Sequence, residues 1–284
     1  MPRTVAVGLD GSHESLAAVE WAAHEAELWG IPLRIVHAGE QQPHDYVPFA
    51  GHPVPLPGAD RSARLLTETK ARLAHRHAGV RVSAEQIAGH QVPVILAVAR
   101  EAELLVLGSR GLGRMAGVLL GSVALAVVAR AERPVVLVRA DEERGQERRT
   151  RAGDGFGDTM PYRDAVLGLD LRAPDGRVLE FAFEAASRRA TGLRVVHGGE
   201  LAAHARQRAA DVLRPWQDKY PGVEVTEEAV IGDAGAHLVD ASRDASLVVV
   251  GRRAREGSIG PHIGPVTHTV LQHAVVAVAV VPHH

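Results

Sequence analysis

The chain has 284 residues, enough for one large barrel or for two domains of about 142 residues each. Hydrophobic residues make up 46% and charged residues 23%, and 32 basic against 34 acidic side chains leave a net charge of -2. With aromatics at only 4%, the chain lacks both the basic field and the stacking surface of a nucleic-acid binder, so nucleic acid is not an expected partner.

The N-terminus runs Met-Pro-Arg-Thr into a short apolar segment that meets Asp10, which is not the longer apolar core of a secretory signal. Residues 4–9 read as a strand. Residues 15–29 read as a helix with Leu16, Val19, Ala23 and Ala26 on one face, stopped by Gly30. A second strand spans 33–37, and a Pro/Gly/His-rich stretch from 37 to 59, with Pro43, Pro48, Pro53, Pro55 and Pro57, reads as a loop. A helix over 61–77, a strand over 80–87 and a short helix over 94–101 follow, then strand 104–107, helix 122–131 and strand 135–139. Leu104-Leu105-Val106-Leu107 does not alternate, the mark of a strand buried on both faces in a parallel sheet covered by helices. The uncharged run 115–129 is too short and too interrupted by Gly117 and Gly121 to span a membrane, and a cytoplasmic location is expected.

Residues 141–160 mix Asp-Glu-Glu-Arg, Gln-Glu-Arg-Arg and Gly-Asp-Gly-Phe-Gly, a solvated linker without apolar periodicity. Beyond it the chain repeats itself. Val7-Gly8-Leu9-Asp10 recurs as Leu167-Gly168-Leu169-Asp170, and Leu33-Arg34-Ile35-Val36-His37 as Leu193-Arg194-Val195-Val196-His197, each 160 residues on. Later matches, Leu104 to Gly108 with Leu247 to Gly251, and Gly121 with Gly264, come 143 residues on; the first copy's longer loop accounts for the difference. The expected domains are therefore 1–140 and 161–284, both α/β.

Two strand ends in the first copy carry chemistry. Gly108-Ser109-Arg110-Gly111 continues through nine residues to Gly121-Ser122, linking a buried strand to a helix. Glycines there let backbone amides approach a ligand, and such amides suit phosphate oxygens. Ser122 adds a hydroxyl, and Arg110 or Arg114 would offset phosphate charge. Asp10, followed by Gly11-Ser12, ends the first strand, where doubly wound sheets bind ligands; it suits either a ribose or base donor or a helix N-cap, a role open equally to Ser12. Lysine occurs only at Lys70 and Lys219, so no Gly-Lys-Ser/Thr triplet exists and a P-loop NTPase is excluded. The absence of cysteine removes disulfides, thiolate metal sites and a cysteine nucleophile. The sixteen histidines show no metal-ligand spacing, and Trp21 and Trp29 read as packing residues.

Val-Gly-Leu-Asp-Gly-Ser, the Val-His after the second strand and the Gly108-x2-Gly111-x9-Gly121-Ser122 loop resemble the universal stress protein family in its tandem two-domain form. The resemblance implies two Rossmann-like, doubly wound domains with five-stranded parallel sheets of order 3-2-1-4-5, and ATP as ligand, with Mg2+ left open. It places Leu9 and Asp10 against the adenosine and the Ala38 backbone against adenine. Leu107, Gly108, Ser109, Gly111, Gly121, Ser122 and Val123 would hold ribose and phosphates. It also implies pairing of last strands, either across a homodimer or within the chain as a pseudo-dimer.

The second copy departs from this pattern. Gly111 is matched by Ala254 and Ser122 by Pro265. If Gly111 has positive φ, alanine there costs about 1 to 2 kcal/mol. Losing a hydroxyl bond to phosphate costs roughly 1.5 to 3 kcal/mol more, and together these weaken binding on the order of hundredfold or worse. Proline at a first helical position keeps the helix and removes an N–H. Leu171-Arg172 in place of Gly11-Ser12 points the same way. The reading is an ATP-binding stress regulator or sensor, with the nucleotide mainly in the first domain and an unidentified regulatory protein partner. The alternatives are a scaffold without nucleotide and a slow ATPase; efficient turnover is not expected, since no P-loop lysine or evident general base stands out.

Overall fold

The computed structural model describes residues 3–39, 46–49, 52–55, 59–109, 120–140, 162–198, 202–254 and 263–284. The chain divides into two compact units, Met1–Arg133 and Pro134–His284.

In the first unit, β1 (Val5–Gly8), α1 (His13–Trp29) and β2 (Leu33–Gly39) are followed by β3 (Tyr46–Phe49), β4 (His52–Pro55), α2 (Ala59–Arg76), β5 (Val82–Ala88), α3 (Gln91–Glu101), β6 (Leu104–Gly108) and α4 (Ser122–Val128). The strands β5, β2, β1 and β6 lie side by side in that order, all parallel. Val5, Ala6 and Val7 have no exposed surface, as a strand covered on both faces requires. The stretch read from sequence as a loop contains a two-stranded antiparallel ribbon, β3 against β4, with Pro48 opposite Pro53. A two-stranded ribbon consists only of edges, so residues without an N–H are tolerated there although they argue against a sheet interior.

In the second unit, β7 (Val135–Val138) precedes β8 (Ala165–Leu169), α5 (Gly176–Arg188), β9 (Leu193–Gly198), α6 (Ala202–Lys219), β10 (Val225–Val230), α7 (Ala234–Ser242), β11 (Leu247–Arg253), α8 (Pro265–His273) and β12 (Val278–His283). Its parallel order is β10-β9-β8-β11-β12, which counted within the copy is 3-2-1-4-5. By sequence β7 ends the first copy, yet it lies antiparallel to β12 inside the second unit, Val280 opposite Val135 and Val278 opposite Leu137. Pairing covers an apolar strand edge that would otherwise invite association. Arg139, just after β7, donates to the Leu271 and Gln272 carbonyls, where the C-terminal carbonyls of α8 favour a cation. The expected linker 141–160 lies outside the described residues.

The repeat extends to helix ends. Gly30 closes α1 at φ 63, and Ile31 N–H reaches back to the Ala26 carbonyl at 3.1 Å. The matching Ala190 adopts φ 51, the one non-glycine residue with positive φ among the described residues, and Thr191 N–H bonds the Ala186 carbonyl, also at 3.1 Å. The left-handed cap is thus kept in the second copy at a cost of about 1 kcal/mol or more for a residue with a Cβ.

His197 on β9 is 1% exposed, and neither ring nitrogen has a hydrogen-bond partner among the described residues. Burial lowers its pKa from the ordinary 6.5, against a smaller opposing pull from Glu227. The folded state therefore holds fewer protons on this ring than the unfolded chain, and stability falls as pH drops below about 6.5. The urea midpoint of the second unit's transition is expected to drop between pH 7.5 and 5.5, and His197→Leu is expected to flatten that dependence. An equal fall in the variant would place the acid sensitivity elsewhere.

Candidate functional site

The turn after β1 is organised by its own side chains. Asp10 Oδ1 accepts from the Ser12 N–H at 2.9 Å and from the Ser12 hydroxyl, an Asx turn. Ser12 caps α1, its oxygen accepting from Ser15 N–H at 3.1 Å. The Ser15 hydroxyl donates to the Ser12 carbonyl at 2.9 Å and accepts from the amides of Asp10 at 3.3 Å and Gly11 at 3.2 Å. Capping therefore falls to Ser12, and Asp10 is held half-buried in a fixed pose at the strand end. Gly11 sits at φ 86, a backbone that side chains rarely adopt, which is why the turn reads Asp-Gly-Ser.

Neighbouring strand ends bring the other first-copy residues to the same edge. β1 pairs β6 on one side and β2 on the other, so Leu9-Asp10, Ser109 and Ala38 lie at three adjacent carboxyl ends. Such strand ends are where doubly wound sheets receive ligands. Leu9 is buried, and His37 fixes this corner through Nδ1 to the Leu9 carbonyl at 2.7 Å and Nε2 to the Ser62 hydroxyl at 3.1 Å. From sequence, His37 was only one half of a repeated Val-His; its latch depends on Ser62, 25 residues away.

Beyond β6, the Ser109 carbonyl accepts from the Gly121 N–H at 2.8 Å, so the intervening loop leaves and returns at one point. Ser109 is 2% exposed, and its hydroxyl has no hydrogen-bond partner among the described residues. A buried hydroxyl left so costs roughly 1 to 3 kcal/mol. Gly121 precedes α4 in extended conformation without a side-chain cap; Ser122 at the first helical position is exposed and Val123 half-buried. Gly111, Arg110 and Arg114 lie outside the described residues. Among the described residues no three His, Asp or Glu side chains gather as metal ligands, and no helix is long and apolar enough to cross a membrane.

Two glycines of the motif have packing reasons. A Cβ on Gly108 would lie 2.7 Å from the backbone carbon of Glu14, so the first turn of α1 rests directly on β6. A Cβ on Gly8 would lie 2.6 Å from Leu107, and one on the matching Gly168 2.8 Å from Leu238. Leu107 is thereby buried over β1.

The second copy keeps Asp170 and its turn, with Arg172 N–H donating to Oδ1 at 2.9 Å. The helix starts later than in the first copy: α5 begins at Gly176, capped by Asp175, although the counterpart of His13 is Ala173. Gly251 then meets a side chain where Gly108 meets backbone, with a Cβ there 2.8 Å from His283 Nε2. Arg252 stands where the first copy has Ser109; it is 7% exposed, and burial lowers its pKa. Arg253 approaches Asp170 at 4.0 Å, so this arginine is engaged within the protein.

Comparison with known proteins agrees with these motifs. Residues 1–139 and 198–282 match the model of the Universal stress protein family. The chain is 31% identical over 299 residues to universal stress protein Rv2005c of Mycobacterium tuberculosis, covering 97% of this chain and 96% of that protein. With universal stress protein Rv2623 of the same organism it shares 30% over 290 residues, covering 94% and 92%. In fold it is similar to the crystal structure of a universal stress protein from Archaeoglobus fulgidus, with a TM-score of 0.68, 17% identity, and 99% and 98% of the two chains covered. A functionally unknown protein from Pseudomonas aeruginosa PAO1 aligns with a TM-score of 0.63 at 18% identity, covering 99% and 92%.

Proposed function

The chain belongs to the universal stress protein family, and we propose that it is an ATP-binding stress regulator or sensor whose nucleotide is held mainly by the first copy, residues 1–140. The observation that carries this reading is the buried Ser109 hydroxyl, without a hydrogen-bond partner among the described residues, at the base of the glycine loop beside the Asp10 turn. It fits a ligand oxygen. Leu9, Asp10 and Ala38 take the adenosine end; Leu107, Gly108, Ser109, Gly111, Gly121, Ser122 and Val123 take the ribose and phosphates. Asp10 accepts hydrogen bonds from a ribose or base, and its turn holds it in place for that purpose. Mg2+, where it accompanies ATP, arrives on the phosphates themselves.

The protein reports nucleotide state rather than turning ATP over. The pairing of β7 with β12 favours a pseudo-dimer, since the two last strands of the repeat satisfy each other in one chain. Residues 161–284 form the second domain, in which Pro265 and Ala254 weaken the phosphate site. Denaturing protein purified without added nucleotide and identifying the released small molecules by mass spectrometry tests this reading. Release of ATP is expected. Protein that releases no adenine nucleotide and binds none on addition is the scaffold, and ADP accumulating with time marks an ATPase.

A further inference from the structure

The ladder between β1 and β2 stops before the strand end. Its register closes at Gly8 opposite Val36, and the Leu9 N–H donates to the Val36 carbonyl at 2.9 Å as the last rung. Alternate residues of a parallel strand turn their N–H and C=O to the same neighbour. Val36 therefore faces β1, Gly39 faces β5, where its carbonyl accepts from the Gly89 N–H at 3.1 Å, and Ala38 between them faces β1 again. A further rung would join the Ala38 N–H to the Leu9 carbonyl and the Gly11 N–H to the Ala38 carbonyl. Two side chains take those partners instead. His37 Nδ1 holds the Leu9 carbonyl at 2.7 Å, and the Ser15 hydroxyl accepts from the Gly11 N–H at 3.2 Å.

A carbonyl only accepts, so His37 Nδ1 carries the ring proton, and in the neutral ring Nε2 accepts from the Ser62 hydroxyl at 3.1 Å. Anchored at both nitrogens, the ring leaves the Leu9 carbonyl only by breaking a second bond. The second copy lacks this arrangement, and its ladder runs further. His197 has no hydrogen-bond partner at either ring nitrogen among the described residues, and Ser15 and Ser62 are matched in sequence by Asp175 and Ala205. There β8 pairs with β9 one step longer, to Leu169 opposite His197.

We propose that His37 is a positioning residue that sets base specificity at the first-copy site. By holding the Leu9 carbonyl it leaves the Ala38 N–H and carbonyl side by side at a half-exposed strand end, where they read the edge of a nucleobase. This rests on the ATP reading above. Adenine places a ring-nitrogen acceptor beside its N6 amine, so it accepts from the Ala38 N–H and donates to the Ala38 carbonyl. Guanine carries the O6 acceptor where adenine has the amine, and sets it against that carbonyl. Without His37, the Leu9 carbonyl and the Ala38 N–H close the next rung, and the strand end loses its donor.

Amide hydrogen exchange on the full chain without nucleotide tests the ladder, and calorimetry with ATP and GTP tests the base selection. The Ala38 amide is expected to exchange about tenfold or more faster than the Val36 amide, and to become protected in His37→Leu. The same variant is expected to lower the preference for ATP over GTP by about tenfold or more. Inorganic tripolyphosphate, which has no base, is expected to bind wild type and variant alike; a merely structural role for His37 would weaken all three ligands together. His37→Asn, whose side-chain N–H stands in for Nδ1, is expected to keep the wild-type preference within about twofold. An Ala38 amide as protected as Val36 in the wild-type chain, a result that needs no variant, overturns the proposal. So does an unchanged ATP-to-GTP preference in His37→Leu. A chain that binds neither nucleotide overturns the ATP reading and the base selection with it; one that binds ATP while its free form protects the Ala38 amide overturns this inference alone.

Discussion

Replacing Ser122 with proline, the residue the second copy carries at the matching position 265, is expected to weaken ATP binding on the order of hundredfold and to leave the fold intact. The fold is kept because the position already suits proline. Gly121 has φ -71 and ψ 145, an extended backbone that a following proline permits, and Gly264 before Pro265 has nearly the same angles, φ -62 and ψ 156. Ser122 is exposed, so no core contact is lost. Binding suffers because the substitution removes a hydroxyl and an N–H together, each worth roughly 1.5 to 3 kcal/mol against a charged phosphate. Calorimetry on the full chain, beside its melting curve, separates the two effects. Unchanged affinity at unchanged stability would move the phosphates away from α4.

Gly108→Ala is expected to destabilise the first unit by about 1 to 3 kcal/mol, while Gly251→Ala at the matching position costs the second unit less. The difference lies in what each new Cβ meets. At Gly108 it meets the Glu14 backbone carbon at 2.7 Å and its carbonyl oxygen at 2.9 Å, and the start of α1 is fixed by the Asp10, Ser12 and Ser15 hydrogen bonds. At Gly251 it meets only side chains, His283 Nε2 at 2.8 Å and Val178 Cγ2 at 3.3 Å, which give way more readily than backbone. Urea denaturation of the two variants reads the contrast. Equal, small losses in both would show that α1 moves aside without penalty.

The fold was legible where burial forced a pattern. Leu104 to Leu107 and its counterpart Leu247 to Val250 announced strands covered on both faces, and the repeat separated two domains. The 3-2-1-4-5 order came from the resemblance and is what the second unit displays. Three features were not legible. The β3–β4 ribbon was hidden by prolines, which speak against strands in general but not against a ribbon made only of edges. The placement of β7 beside β12 depends on which apolar edges lie near one another, a long-range fact. The motif glycines read as ligand-approach positions, yet Gly8 and Gly108 are required by Leu107 and Glu14, contacts that only the packed helices reveal. At the site itself, sequence marked Asp10 and the Gly121-Ser122 pair. It gave no sign that Ser15 binds the Asp10 and Gly11 amides, or that the Ser109 hydroxyl is buried with no partner among the described residues.

Equilibrium dialysis of the full chain against labelled ATP, carried to saturation of the tight phase, tests the division of labour between the copies most directly. One ATP per chain is expected, removed by Ser122→Pro and retained by Asp170→Asn. Two equivalent ATP molecules per chain, or one that survives Ser122→Pro, would contradict it.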